Sequence, residues 1–147
     1  MSGMQSAPYQ EFSRNTLGFE FSNIDLLITA LTHRSYVNEH RKSVSEHNER
    51  LEFLGDAVLD LIIGEYLFRT YPQMPEGELT KTKAAIVCES SLAQCAGRLH
   101  FGDYLLLGHG EDTSGGRTRV SILADTFEAL IGALYINTSY EITTQFV

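Results

Sequence analysis

The stretch Asn48-Glu-Arg-Leu-Glu-Phe-Leu-Gly-Asp-Ala-Val-Leu59 opens the longest periodic segment of the chain, and the fold is read outward from it. From Asn48 to Tyr71 the apolar residues Leu51, Leu54, Val58, Leu59, Ile62, Ile63, Tyr66 and Leu67 recur every three or four positions. That is the period of a helix with one buried face. Pro72 ends the pattern, since proline disfavours helical backbone in the residue before it, and Pro75-Glu76-Gly77 reads as a turn. Upstream, Ser22 stands where an N-cap belongs, three residues before Asp25 and ahead of Ile24, Leu27, Ile28 and Leu31. The polar run His40 to His47 reads as a loop or a frayed helix start. Downstream, a helix is expected from about Glu78 to Leu99, followed by glycine-rich turns from Phe101 to Gly116. A further helix, Ser121 to Ile136, is apolar nearly all round and therefore central to the core, and a short amphipathic piece spans Tyr140 to Val147. Only Tyr104 to Leu107 offers a strand, too short to anchor a sheet. The expected fold is all-α, a single helical domain over residues 1–147.

Length and composition agree. A chain of 147 residues with 43% hydrophobic and 20% charged residues suits one globular domain rather than a disordered segment. No uninterrupted apolar run reaches the roughly 18 residues that span a bilayer. The start, MSGMQSAPYQ, lacks the basic and apolar segments of an export signal, so a cytoplasmic protein with no membrane association is expected. Cys88 and Cys95 lie seven apart in the expected helix, about 10 Å along its axis, too far for an unstrained disulfide. The net charge of −8 argues, taken alone, against a nucleic-acid partner.

The acids are not spread evenly, however. Glu49, Glu52 and Asp56 fall at i, i+3 and i+7 on one face of the long helix, inside a segment that otherwise reads as core. Asp125 and Glu128 are three apart within Ile122-Leu-Ala-Asp-Thr-Phe-Glu-Ala-Leu-Ile131. Ionised carboxylates in apolar surroundings cost several kcal/mol each, roughly, unless compensated. A single such acid is most simply a surface residue or half of an ion pair, and Arg50 could partner one of them. Two clusters on separate apolar helices, with few Lys or Arg nearby, favour a hard divalent cation, Mg²⁺ or Mn²⁺, over ion pairing. Asp60 and Glu65 lie off this face and read as solvated. Other chemistries fit poorly. Gly110-Glu-Asp-Thr-Ser-Gly115-Gly116-Arg117 lacks the Gly-Lys-Ser/Thr of a phosphate loop, and neither acidic helix carries a histidine at di-iron spacing. His33, His100 and His109 show no metal-ligand spacing and read as turn or packing residues.

The signature Asn48 to Leu59 resembles that of the ribonuclease III family. So do Thr32-His-Arg-Ser-Tyr36, Glu76-Gly77, and Ser121-Ile-Leu-Ala-Asp-Thr-Phe-Glu-Ala-Leu-Ile-Gly-Ala133, in the same order from about residue 19 to 136. The resemblance implies an all-helical endonuclease domain. It would dimerise through the signature helix and cleave double-stranded RNA with Mg²⁺, which Mn²⁺ could replace, to 5′-phosphate and 3′-hydroxyl ends with short 3′ overhangs. It assigns Glu52, Asp56, Asp125 and Glu128 as metal ligands. It adds Glu49 and Glu76 as catalytic-valley acids, Glu76 reaching the site from a partner subunit, and Phe53 as an aromatic packed across the two-fold axis. Arg117 and Arg119, in Ser114-Gly-Gly-Arg-Thr-Arg119, are candidate phosphate contacts, with a plain flexible loop as the alternative. Two departures stand out: the family's double-stranded-RNA-binding domain is expected to be absent from this chain, and Asn137 occupies a place where many relatives carry Asp. The competing readings are a non-catalytic dimeric RNA-binding or scaffold module and a metal-dependent phosphohydrolase of small substrates. If six of the nineteen acids belong to a metal-bearing valley, the remaining surface is nearly neutral, and the acidity no longer excludes RNA.

Overall fold

The computed structural model describes residues 3–44 and 46–147, with side chains from Ser6 onward; Met1, Ser2 and Ser45 lie outside the described residues. The helices are α1 (Gly3–Phe12), α2 (Ile24–Ala30), α3 (Arg34–Glu39), α4 (Glu49–Thr70), α5 (Glu76–Ile86), α6 (Glu89–Arg98), α7 (His109–Thr113), α8 (Val120–Asn137) and α9 (Tyr140–Phe146). A π-helical turn, Ser13–Leu17, follows α1, and short 3₁₀ turns lie at Phe101–Asp103 and Gly116–Thr118. Among the described residues there is no strand. The segment around Tyr104 to Leu107 contributes only an isolated parallel bridge, Thr32 to Leu106.

The architecture is α8 wrapped by its neighbours. Eleven of its eighteen residues are buried, from Ile122 to Leu134, with α4 and α6 packed against it most extensively. By length and composition alone α8 could cross a membrane; in the fold its apolar surface is used up against other helices, as a central core element requires. The α4 face that meets it carries Leu51, Val58, Leu59 and Ile62, and α6 adds Leu92, Ala93 and Ala96. At the crossing of α4 and α8 the backbones touch. A Cβ added to Gly55 would overlap the carbonyl of Glu128, and one added to Gly132 would overlap the carbonyl of Leu51. Only glycine permits that approach.

Around α8 the core mixes aliphatic residues such as Leu27, Leu31 and Leu105 with aromatic contacts. Phe12 of α1 packs on Phe101 and Tyr104 with ring centroids 5.7 and 4.2 Å apart, and Tyr9 donates from its hydroxyl to the Tyr104 carbonyl at 3.1 Å. Phe146 of α9 sits against Phe19 and Phe127. Tyr140 fastens the start of α9 by donating to Glu65 at 2.6 Å.

Several boundaries differ from the sequence expectations. The expected helix from Glu78 to Leu99 is two helices, broken at Val87 and Cys88, where Cys88 turns to extended backbone (φ −68°, ψ 157°). Its thiol contacts the Ser90 and Ser91 hydroxyls, so local polar side chains accompany the break without Gly or Pro. The first of these helices starts at Glu76, with Pro75 before it in the extended conformation, so the Pro75-Glu76-Gly77 turn is a helix entry. Ser22 does not cap α2; Asn23 is the N-cap residue, and Ser22 donates instead to Asn137 at 3.0 Å. Helix α3 precedes the polar His40 to His47 loop and is capped by His33, whose ring accepts from the Ser35 amide at 3.1 Å. Helix α1 has no counterpart in the sequence expectations. Cys88 and Cys95 are free thiols.

Candidate metal centre

Glu52 and Asp56 face α8 one helical turn apart, on either side of the Gly55 contact, and Asp125 and Glu128 face back from α8. Glu52, Asp125 and Glu128 each offer one carboxylate oxygen within 4.8 Å of the others. Asp56 lies beside Glu128 and Asp125 beside Glu52, each near enough to raise its neighbour's pKa. Three acids from two helices thus cluster, with the more exposed Asp56 at their edge. None of the four makes an ion pair with Lys, Arg or His among the described residues.

Burial, then the neighbouring Asp125 and Glu49, push the Glu52 carboxyl up to about 7. Burial, then the hydrogen bond and charge of Asp56, push Glu128 up to about 8. Asp125 is also raised, first by burial and then by the charge of Glu89. Raised pKa values of this kind follow wherever stacked carboxylates share a half-buried site with nothing to offset their charge. The donor set is all oxygen, the chemistry of Mg²⁺ or Mn²⁺ rather than of zinc. The residues present fit a hard divalent ion, and its binding would release the protons held there.

The same shifts set a pH dependence of stability. A carboxyl whose folded pKa exceeds its unfolded value holds more protons in the native state, so stability falls as pH rises between the two values. For Glu52 and Glu128 that window runs from the ordinary glutamate value, 4.5, to about 7 and about 8 respectively. His33, lowered mainly by burial, has the opposite sign and offsets part of the fall. In EDTA the melting temperature should therefore drop as pH rises from 5 to 8, and saturating Mg²⁺ should flatten or reverse the trend. Calorimetric scans at four pH values check it; a metal-free melting temperature that rises across this range contradicts the arrangement.

The other sequence-selected residues fall in different places. Glu49, at the first turn of α4, is exposed and pairs with Arg34 at 3.3 Å, with His47 4.0 Å away. Glu76 stands at the start of α5, where it accepts from Thr80 at 3.5 Å and is not among the clustered acids of its own chain. Phe53 is 81% exposed, the most exposed large apolar residue described. It borders a groove lined by Leu26, Thr29, His47, Arg50, Leu54 and Ile136.

Arg117 is held within the fold. Its guanidinium is committed internally, donating to both carboxylate oxygens of Asp112 at 2.9 and 3.1 Å and to the Gly102 and Leu105 carbonyls at 2.9 and 2.7 Å. Four of its five N–H groups are occupied, which leaves no fork for a phosphate. Arg119 is exposed, paired with Glu111 and donating to the Ser114 carbonyl. Glu65, read as solvated, is held by Arg69 at 3.1 Å as well as by Tyr140. Sequence reasoning missed Arg34 and Glu89, both of which act on the site by charge; the mixed-charge run flanking each helix carried no period to mark them.

Comparison with known proteins agrees with this geometry. The family model Ribonuclease-III-like matches residues 23–147. Ribonuclease 3 of Anoxybacillus flavithermus is 59% identical over 139 residues, 95% of this chain and 58% of the relative. Ribonuclease 3 of Bacillus cytotoxicus is 60% identical over 134 residues, 89% of this chain and 55% of the relative. The chain thus spans little more than half the length of these curated relatives. A solved nuclease domain of ribonuclease III from Campylobacter jejuni, described for flexibility in a region involved in dimer formation, superposes with a TM-score of 0.85. It is 44% identical, the match covering 92% of this chain and 91% of that one. Dicer from Pichia stipitis matches at a TM-score of 0.55 and 28% identity over 78% of this chain and 46% of its own. A helical fold built on the α4–α8 crossing, with paired acids at that crossing, and a family match over most of its length lead to one conclusion: the chain belongs to the ribonuclease-III-like family.

Proposed function

We propose that this chain is the nuclease part of a cytoplasmic, Mg²⁺-dependent endoribonuclease that cleaves double-stranded RNA during RNA processing. The observation that carries the proposal is the gathering of carboxylates at the α4–α8 crossing, Glu52, Asp125 and Glu128 within 4.8 Å of one another with Asp56 beside Glu128, and no ion pair to a basic side chain among the described residues. Glu52, Asp56, Asp125 and Glu128 would hold Mg²⁺, or Mn²⁺ in its place. When bound, the ion supplies Lewis acidity, making water a stronger nucleophile and offsetting charge on the phosphate.

The protein's own groups do the remaining work. The α4–α8 backbone contact fixes how closely the α4 acids approach those of α8. Glu128 and Asp56 would take the proton that water loses on attack and return it to the departing 3′ oxygen, so that hydrolysis leaves a 5′ phosphate and a 3′ hydroxyl. Glu49 lies at the rim, oriented by Arg34. Glu76 is apart from the cluster of its own chain and serves the partner's site in a homodimer. Exposed Phe53 and the adjacent groove supply the two halves of a self-complementary contact across the two-fold axis, the form that an isologous dimer requires. Two such sites would cut both strands with short 3′ overhangs. Arg119, exposed ahead of α8, remains the candidate phosphate contact of this chain. A-form RNA is read through its shape and backbone, so broad sequence tolerance is expected.

The test is cleavage of a long RNA duplex with Mg²⁺ and with excess EDTA, beside sedimentation of the protein. Cutting only with Mg²⁺, by a dimer, is the expected result. A dimer that shifts RNA without cutting it in Mg²⁺ or Mn²⁺ would establish the scaffold reading instead, and a monomer that hydrolyses mononucleotides the phosphohydrolase reading.

A further inference from the structure

The glycine contact between α4 and α8 fixes how far apart the two helices lie, but smooth backbone offers little resistance to sliding along the axis. One residue of slip is about 1.5 Å, enough to misplace a carboxylate. Register has to come from elsewhere, and the start of α4 holds a buried polar residue bonded across the fold. Asn48 is 4% exposed. Asparagine before a helix ordinarily caps that helix with its own side chain. Here no such bond forms. The Asn48 amide side chain instead donates across the fold to the Ala30 carbonyl at 3.1 Å, and its backbone N–H donates to the Thr32 carbonyl at 2.9 Å. Its own carbonyl accepts from the Glu52 amide at 2.8 Å, the first bond of the helix.

The segment that receives these bonds is itself tied toward α8. The His33 amide donates to the Leu106 carbonyl at 3.0 Å and the Leu106 amide to the Leu31 carbonyl at 2.9 Å. Arg117, just ahead of α8, grips the neighbouring Leu105 and Gly102 carbonyls. An unbroken series of bonds therefore joins the segment leading into α8 to the backbone of Glu52. We propose that Asn48 is a positioning residue: it sets the axial register of α4 against α8 and so holds Glu52 opposite Asp125, with Arg117 as the outer anchor. This rests on the metal-site reading above.

The experiment measures Mn²⁺ affinity by the electron paramagnetic resonance signal of free Mn²⁺, at a temperature well below melting, for wild type, Asn48→Ala and Arg117→Lys. Misplacing one carboxylate should weaken Mn²⁺ binding about 10- to 100-fold in Asn48→Ala, the range seen when supports of metal ligands are removed. A smaller loss is expected for Arg117→Lys. On duplex RNA, kcat at fixed Mg²⁺ should fall while KM for RNA changes less than twofold. A merely structural role would lower the melting temperature and leave the Mn²⁺ affinity of the folded protein at the wild-type value; that result overturns the proposal. Should Asn48→Ala not fold, Asn48→Ser, too short to reach Ala30, is judged by the same affinity criterion. Absence of Mn²⁺ binding by the wild type would instead overturn the metal-site reading itself.

Discussion

Glu128→Gln should abolish RNA cleavage while making the metal-free protein more heat-stable. The activity loss is expected to be on the order of 10³-fold, because a neutral amide in place of a carboxylate removes charge where the reaction needs it most. The stability gain has a separate origin. Glu128 is driven toward its protonated form by burial and by Asp56, so the wild type at pH 8 either binds a proton reluctantly or carries like charges face to face. A glutamine side chain supplies N–H donors to Asp56 at every pH and preserves the shape of the site. In a domain of this size each kcal/mol recovered raises the melting temperature by about 2–4 °C. A rise of a few degrees in EDTA is therefore expected, shrinking below pH 6 and reversing in saturating Mg²⁺, where only the wild type gains from the ion. Calorimetry in EDTA and in Mg²⁺, beside cleavage assays, separates the two effects. An active variant, or one less stable than wild type in EDTA at pH 8, would refute the account.

Gly55→Ala should be the most damaging single-methyl change in the protein. Its Cβ would overlap the backbone carbonyl of Glu128, which cannot swing aside as a side chain can. The helices must separate or the variant must unfold. Overpacking of this kind costs about 3 kcal/mol or more, roughly 6–12 °C in melting temperature. The folded fraction should also lose activity, because the atom displaced belongs to Glu128, a residue of the proposed metal site. Gly97→Ala is the control. It is the same substitution in α6, where the added methyl meets nothing within 4 Å, and it should be neutral or stabilising by up to about 1 kcal/mol. Equal melting temperatures for the two variants would show that the α4–α8 approach is not the constraint described.

The central elements were legible because strong periodicity and local punctuation agree there. Helix α4 announces itself through its apolar spacing and Pro72, and α8 through a long apolar run interrupted by two acids. Those acids stood out for the same reason, since a carboxylate costs most where the surroundings are greasiest. The break at Cys88 was hidden because it uses neither glycine nor proline; the Glu89-Ser-Ser91 cluster behind it is the kind of polar start that a helix N-terminus carries. Helices α1 and α3 are short and weakly patterned, so tertiary packing decides them. The internal bonds of Arg117 could not be read from its neighbours in sequence. A glycine-flanked arginine looks free on paper, and only the fold brings the Gly102 and Leu105 carbonyls to it.

The burial of α8 has a consequence for how the chain is made. This helix emerges from the ribosome about 50 residues after α4 is complete, so α4 waits with its apolar face uncovered until its partner arrives. A nascent chain halted before Val120 would hold only the α4 acids and an open hydrophobic groove, a species suited to chaperones rather than to catalysis. The late helix closes the core and completes the acidic cluster in one docking event. A partly made chain of this kind therefore has no way to present a working nuclease centre to the RNA around it.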